Sequence, residues 1–273
     1  MYDKITCRAE GFTLTHIKAP PKEMYPGHIA ERVAYLNEEI LRLAWEKIPE
    51  STWNIFLPEA VGSLDSEGKS QVDHVFGMQW QAASDRLFFD WLSLAPKLPM
   101  EVRCEIAIES GTALMYTVEL RNSSRRTIEN VTCANCFNHH QTEGFGRELF
   151  VFKNGALVGL DIARHPKLQA PGLGVVTSPL FRKMRHTGGP EVSCERGIIA
   201  TSARAGGKGF TLAHCSPDAS TVWSNQMWPC TDLYIAFCDV EPGKTKRVQA
   251  RLYFLDGYRA LDEVGRRFEA DSW

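Results

Sequence analysis

The sequence predicts a mainly β protein, an antiparallel β-sandwich with one helix near each end of the chain. Two observations predict this fold. Segments in which apolar and polar residues alternate recur at intervals of roughly ten residues, and turn signals separate them. No helical periodicity lies between these segments, so the pattern disfavours folds that alternate strands with helices.

Each predicted helix is an amphipathic segment with sensible boundaries. Pro26-Gly27 precedes the first helix and Pro49 follows it, and its apolar stripe consists of Ile29, Val33, Leu36, Ile40, Leu43 and Ala44. The apolar side of the second helix consists of Tyr258, Leu261, Val264, Gly265 and Phe268. We therefore divide the chain into residues 1–50, a strand and helical flank, and residues 51–273, a sandwich that ends in a helix. The two parts are expected to form one structural unit.

The clearest predicted strands lie between residues 101 and 254. They cover residues 101–108, 113–120, 128–137, 148–152, 156–160, 197–203, 210–214, 233–237 and 246–254. Lys153-Asn154-Gly155 predicts a hairpin between two of them. Residues 161–196 show no clear periodicity. Basic residues between Ala163 and His186 fit either a lid over an acidic sugar or a solvated loop.

Composition and charge exclude several classes of function. The chain has 31 basic and 33 acidic residues, so neither a nucleic acid nor an anionic membrane is an expected partner. The first residues lack the apolar run of a secretory signal, and no stretch approaches the ~20 apolar residues that span a bilayer. We expect a cytoplasmic protein with reduced cysteines. A homo-oligomer stays open.

Several stretches resemble the galactose mutarotase-like supersandwich proteins. They are Thr117–Asn122, Thr127–His140, Asn225–Cys230, Glu241–Lys244 and Arg251–Gly257, about half the chain together. The resemblance implies a supersandwich fold and a carbohydrate ligand. It is nearest to uncharacterised bacterial sandwich proteins associated with sugar metabolism. Asn135 lies where the Asn-His pair of the family begins, but Cys136 follows it, and no catalytic residue of the family is carried over.

The first candidate cluster runs from Cys133 to Arg147. Its Cys133-x-x-Cys136 spacing suggests a zinc knuckle, but the sequence has no second knuckle, and strand alternation sends the two sulfurs to opposite faces. We therefore predict no metal and no cofactor. Histidine beside a carboxylate suits proton transfer near neutral pH, which favours His140 and Glu143 as an acid–base pair. Hydrogen-bonded edge histidines without a ligand are the alternative.

The second candidate cluster follows the predicted strand that ends at His214. Tryptophan rings stack on sugar faces, and short polar side chains bond sugar hydroxyls. The alternative is that the two tryptophans pack on the core. The predicted catalytic residues are His140, Glu143 and His214, and the predicted substrate-binding residues are His139, Arg147, Trp223, Asn225, Trp228 and Asp232.

These residues predict an isomerase, epimerase or lyase that acts on a sugar or sugar acid by histidine and glutamate acid–base chemistry. A sugar-binding or oligomer-forming sandwich without catalysis is the alternative function. The prediction requires that the two clusters meet in one site, since separate clusters would not serve one reaction.

Overall fold

The computed structural model describes residues 4–18, 39–67, 69–94, 98–142, 144–160, 173–176, 194–224 and 229–273. Within these ranges the chain forms eighteen strands and one helix. The first nine strands are β1 (Ile5–Ala9), β2 (Phe12–Lys18), β3 (Glu39–Trp45), β4 (Thr52–Leu64), β5 (Ser70–His74), β6 (Gln81–Ala82), β7 (Arg86–Ser93), β8 (Met100–Ser110) and β9 (Ala113–Asn122). The other elements are β10 (Ile128–Asn138), β11 (Leu149–Lys153), β12 (Ala156–Gly159), β13 (Leu173–Val176), β14 (Ile198–Ala205), β15 (Lys208–Cys215), β16 (Ala219–Ser224), β17 (Asp232–Val240), β18 (Thr245–Asp256) and helix α1 (Leu261–Ala270).

The strands form two antiparallel sheets that pack face to face. The first sheet has the order β1-β2-β3-β4-β10-β17-β16-β13, and β5 pairs with β4 beside this path. The second sheet has the order β12-β11-β14-β15-β18-β9-β8-β7-β6. This two-sheet arrangement confirms the predicted antiparallel sandwich.

Alternation explains the strands that were predicted from the sequence. In β8, Val102, Cys104 and Ile106 are buried, whereas Arg103 and Glu105 between them keep exposed surface. This pattern places one side of the strand on the core and the other toward water. The predicted helix at the carboxyl end is also confirmed, because α1 spans Leu261–Ala270.

The prediction of a helix near the amino terminus is wrong for residues 39–45, which form β3. This strand pairs with β2 and β4 in the interior of the first sheet. Ile40, Leu41 and Leu43 are all buried, so apolar residues occupy both faces of β3. Ile40 and the partly buried Ala44 add apolar residues to the outward face of β3, so its apolar residues do not alternate strictly and match helical spacing by chance. The earlier part of the predicted helix lies outside the described residues.

The core between the sheets contains a cluster of aromatic side chains. The ring of Phe254 on β18 lies 5.4 Å from Trp45, 5.5 Å from Trp53 and 5.9 Å from Phe137, measured between centroids. All three contacts are edge-to-face, the geometry that aromatic pairs prefer. These contacts connect β3, β4 and β10 of the first sheet with the second sheet. No helix among the described residues combines the length and the apolar character needed to cross a membrane.

We predict that replacing two glycines by alanine has opposite effects on stability. A Cβ atom at Gly197 would lie 2.1 Å from the Ser216 carbonyl oxygen, so Gly197→Ala is expected to cost about 1–3 kcal/mol or more. A Cβ atom at Gly265, inside α1, meets nothing within 4 Å, so Gly265→Ala is expected to stabilise by about 0.8–1 kcal/mol. Urea unfolding of both variants tests this, and equal effects would contradict the packing described at Gly197.

Candidate functional site

The candidate site is the face of the first sheet that points away from the second sheet, which we call the polar face. Neighbouring strands align its side chains in rows. Asn135 lies opposite Leu233 and Asn138 opposite Cys230, so Cys136 falls opposite Asp232. The rows are Arg42, Asn54, Asn138 and Cys230; Phe56, Cys136, Asp232 and Trp223; and Ala60, Ala134, Tyr234 and Thr221.

The polar face is buried although many of its side chains are polar. Asn54, Asn138, Asp232 and Thr221 are each less than 5% exposed. Trp223 is partly exposed and packs against Tyr234. Polar side chains with so little contact with water need hydrogen-bond partners within the protein or a ligand.

Three of these side chains carry a buried polar atom without a partner in the described structure. The atoms are Asn54 Nδ2, Thr221 Oγ1 and Asp232 Oδ1. Asn54 Nδ2 is a hydrogen-bond donor, Thr221 Oγ1 can donate or accept, and Asp232 Oδ1 is an acceptor. Asp232 and Thr221 lie on adjacent strands, while Asn54 lies three strand spacings across the sheet and four residues along it from Thr221, or about 20 Å away. Asp232 and Thr221 are therefore close enough to bind hydroxyls of one small ligand, whereas Asn54 could contact only a longer one.

Glu59 adds a carboxyl group beside this face. It lies in a bulge of β4, where Phe56 pairs with Cys136 and Ala60 pairs with Ala134. Burial raises the pKa of Glu59 to about 7, although the residue keeps a partly exposed surface. A carboxyl group that is half ionised near neutral pH can both give and take a proton.

Two thiols flank Asp232 on the polar face. The Sγ atom of Cys230 donates a hydrogen bond to Asp232 Oδ2 at 3.1 Å. Burial and the charge of Glu59 raise the pKa of Asp232 well above its usual range. The hydrogen bond with Cys230, together with burial, raises the pKa of the Cys136 thiol. Cys133 belongs to the core on the opposite side of β10, which agrees with the alternation expected for the two cysteines.

His139 and His214 lie in a different place, inside the sandwich at the end of the first sheet. Nδ1 of His214 is 2.7 Å from the carbonyl oxygen of Thr231, which only accepts, so Nδ1 carries the proton. Nε2 of His214 therefore accepts the hydrogen bond from the Tyr116 hydroxyl at 2.6 Å. His139 Nε2 lies 3.0 Å from Thr231 Oγ1. Thr231 thus joins both imidazoles in one buried network.

Burial keeps both imidazoles of this network neutral. It lowers the pKa of His214 to about 4, and burial together with the nearby His214 lowers the pKa of His139 to about 3. When the pH falls below 6.5, the ordinary pKa of histidine, both imidazoles become protonated in the unfolded chain but stay neutral in the folded protein. The network therefore stabilises the fold at neutral pH, and this contribution falls as the pH drops toward about 4.

The structure brings together only part of the predicted site. Trp223 and Asp232 share the polar face. His140 is partly exposed, its backbone N–H donates to Asn138 Oδ1, and Arg147 is exposed. Three of the predicted residues lie outside the described structure: Glu143, Asn225 and Trp228. Residues 161–172 and 177–193, which include the basic residues of the predicted loop, also lie outside it.

The sequence analysis missed Asn54, Glu59 and Thr221. Asn54 and Glu59 interrupt the largely apolar run of β4, and that interruption was the available signal. Thr221 lies in β16, which the sequence analysis did not identify as a strand. Its place beside Asp232 depends on pairing between strands, which the sequence does not display.

A concave region away from the polar face lies at the turns that follow β4 and β9. It has a volume of about 430 Å³ and is lined by polar side chains that include Asp65, Lys69 and Arg126. None of the described residues that line it carries a buried polar atom without a partner. The polar face is therefore the better candidate for a binding site.

Comparison with solved structures supports the fold. The Slr1438 protein of Synechocystis sp. PCC 6803 superimposes with a TM-score of 0.52 at 13% identity, over 94% of this chain and 100% of that one. A "putative aldose 1-epimerase" of Escherichia coli K12 gives a TM-score of 0.46 at 8% identity, over 93% and 99%. The likeness to the Synechocystis protein supports the observed sandwich fold. No family model and no curated protein matches the sequence.

We predict that Thr231→Val destabilises the protein by about 1–3 kcal/mol, because it leaves the buried Nε2 atom of His139 without its partner. Valine keeps the volume of threonine, so the effect reports the lost hydrogen bond. Urea unfolding at neutral pH measures it. Thr245→Val, at an exposed position of β18, is the control. Equal unfolding free energies for the two variants would contradict a stabilising network.

Proposed function

We propose that the protein binds a carbohydrate on the polar face and acts on it as an isomerase, epimerase or lyase. The observation that carries this proposal is the pair of buried polar atoms at Thr221 and Asp232 that have no partner among the described residues and lie beside the ring of Trp223, with a third such atom at Asn54 farther along the same face. A sugar offers hydroxyls that donate and accept, and an apolar ring face that stacks on an indole.

The fold supports the same class of ligand. The Escherichia coli protein named above and a second "putative aldose 1-epimerase", from Klebsiella pneumoniae subsp. pneumoniae MGH 78578, carry names that refer to sugar epimerisation. The Klebsiella protein superimposes with a TM-score of 0.43 at 9% identity, over 98% of this chain and 91% of that one. The proposal itself depends on the side chains of this chain.

Proton transfer is assigned to Glu59 and His140. Glu59 has a pKa of about 7 and lies beside the row of Phe56, Cys136, Asp232 and Trp223. His140 follows Asn138 at the end of β10 and keeps exposed surface. His214 has both ring nitrogens hydrogen-bonded in the interior, so we assign it and His139 to stability in this proposal. Glu143 stays a candidate from the sequence.

We predict that Trp223→Ala lowers carbohydrate affinity by up to about tenfold, since aromatic contacts contribute about 0.5–1.5 kcal/mol beyond buried area. A thermal-shift screen of sugars, sugar acids and sugar phosphates identifies the ligand, and calorimetry then gives the affinity of each variant. Trp91→Ala is the matched control, because Trp91 lies on β7 of the second sheet and stacks with Arg121. Lack of binding by any carbohydrate, or equal losses in both variants, would contradict the proposal.

Catalysis is tested separately from binding. With the carbohydrate found in the screen, Glu59→Gln is expected to lower kcat by at least about 100-fold, the usual contribution of a general acid or base, while affinity changes little. The wild-type rate is expected to change with pH near 7, the pKa of Glu59. Glu241→Gln, in an exposed turn, is the control. Binding without measurable turnover in the wild type would favour the alternative of a sugar-binding module.

A further inference from the structure

Cys136, Cys230 and Asp232 form a compact group of metal-ligating side chains on the polar face, which we call the cysteine–aspartate cluster. One ligand atom from each residue, two sulfurs and one carboxylate oxygen, lies within 4.8 Å of the other two. Cys136 is directly across from Asp232, and Cys230 is its diagonal neighbour on the same face. Pairing of β10 with the segment that leads into β17 holds the three positions together.

The surroundings of the cluster favour a cation. Asp232 is 3% exposed, and its Oδ1 atom has no hydrogen-bond partner among the described residues. Its Oδ2 atom accepts a hydrogen bond from the Cys230 thiol, which is a weak donor, and the carboxyl group is also hydrogen-bonded by the Cys136 thiol and the backbone of Phe137. Two of these partners are thiols, and a cation in contact with the carboxyl group would lower the cost of burying it further.

The geometry points to zinc. In a tetrahedral zinc site with thiolate and carboxylate ligands, the ligand atoms lie about 3.4–3.8 Å apart. In this structure they lie within 4.8 Å of one another, so side-chain shifts of about 1 Å would bring them to zinc-binding distances. Thiolate ligands select zinc over magnesium or calcium, which prefer oxygen.

We propose that Cys136, Cys230 and Asp232 bind one zinc ion, with the fourth coordination position left for water or a ligand. Three protein ligands with an open position are the arrangement found in catalytic zinc sites, whereas structural sites have four protein ligands. This inference shares Asp232 with the proposed function, but the sulfurs of Cys136 and Cys230 have no part in the proposed carbohydrate contacts, and Asn54, Thr221 and Trp223 have no part in the cluster. Zinc binding and carbohydrate binding can therefore fail separately.

The test is zinc binding by the full chain under reducing conditions. The wild type is expected to bind one zinc ion per chain in elemental analysis after gel filtration, and one cobalt ion with a thiolate-to-cobalt absorption band. Cys136→Ser and Cys230→Ser are each expected to weaken zinc binding by more than about 100-fold, since loss of an outer partner alone costs 10–100-fold. Cys238→Ser, which removes an exposed cysteine of β17, is the control and is expected to bind like the wild type.

A second measurement uses only the wild type, so it holds even if a serine variant fails to fold. Zinc is expected to slow iodoacetamide labelling of Cys136 and Cys230 in peptide mapping and to leave labelling of Cys238 unchanged. Failure of the wild type to bind zinc, zinc binding by Cys136→Ser or Cys230→Ser equal to that of the wild type, or labelling of the two cysteines unaffected by zinc would overturn the proposal. A disulfide between Cys136 and Cys230 that persists under reducing conditions would also overturn the proposal.

Discussion

The candidate site depends on one constraint, the alternation of side chains along β10 and β17. Each strand lies in the interior of the first sheet, and neither of its faces is fully open to water. One set of alternate residues, including Cys133 and Ile235, fills the core between the sheets. The other set, including Cys136 and Asp232, builds the polar face. Every candidate role described for these strands follows from the face on which a residue falls.

Alternation also separates His214 from Asp232, which the sequence analysis placed in one candidate cluster. Thr231 and Asp232 are consecutive, yet Thr231 bonds the histidines inside the sandwich and Asp232 faces outward. The two predicted clusters do meet through Thr231, but they meet in a buried network that fixes the protonation of His214. The histidine with the best-defined partners is for that reason poorly placed to exchange a proton with a ligand.

The sequence could predict those parts of the fold in which one strand face meets water. Strands β8 and β9 alternate buried apolar residues with charged ones, and their bounds came close to the structure. Strand β3 carries apolar residues on both faces, so its pattern indicated a helix instead. Trp223 and Asp232, which were selected for their chemistry, do lie on one face of the sheet. Their proximity to Cys136 was not predictable, because cross-strand register depends on the pairing of the whole sheet.

The two faces of β10 and β17 can change independently during evolution. A substitution at Cys136 or Trp223 changes the side chains of the polar face and does not touch the aromatic core around Phe254. Conversely, the core can be repacked without altering the chemistry of that face. Such separability lets one backbone acquire new ligands with few compensating changes.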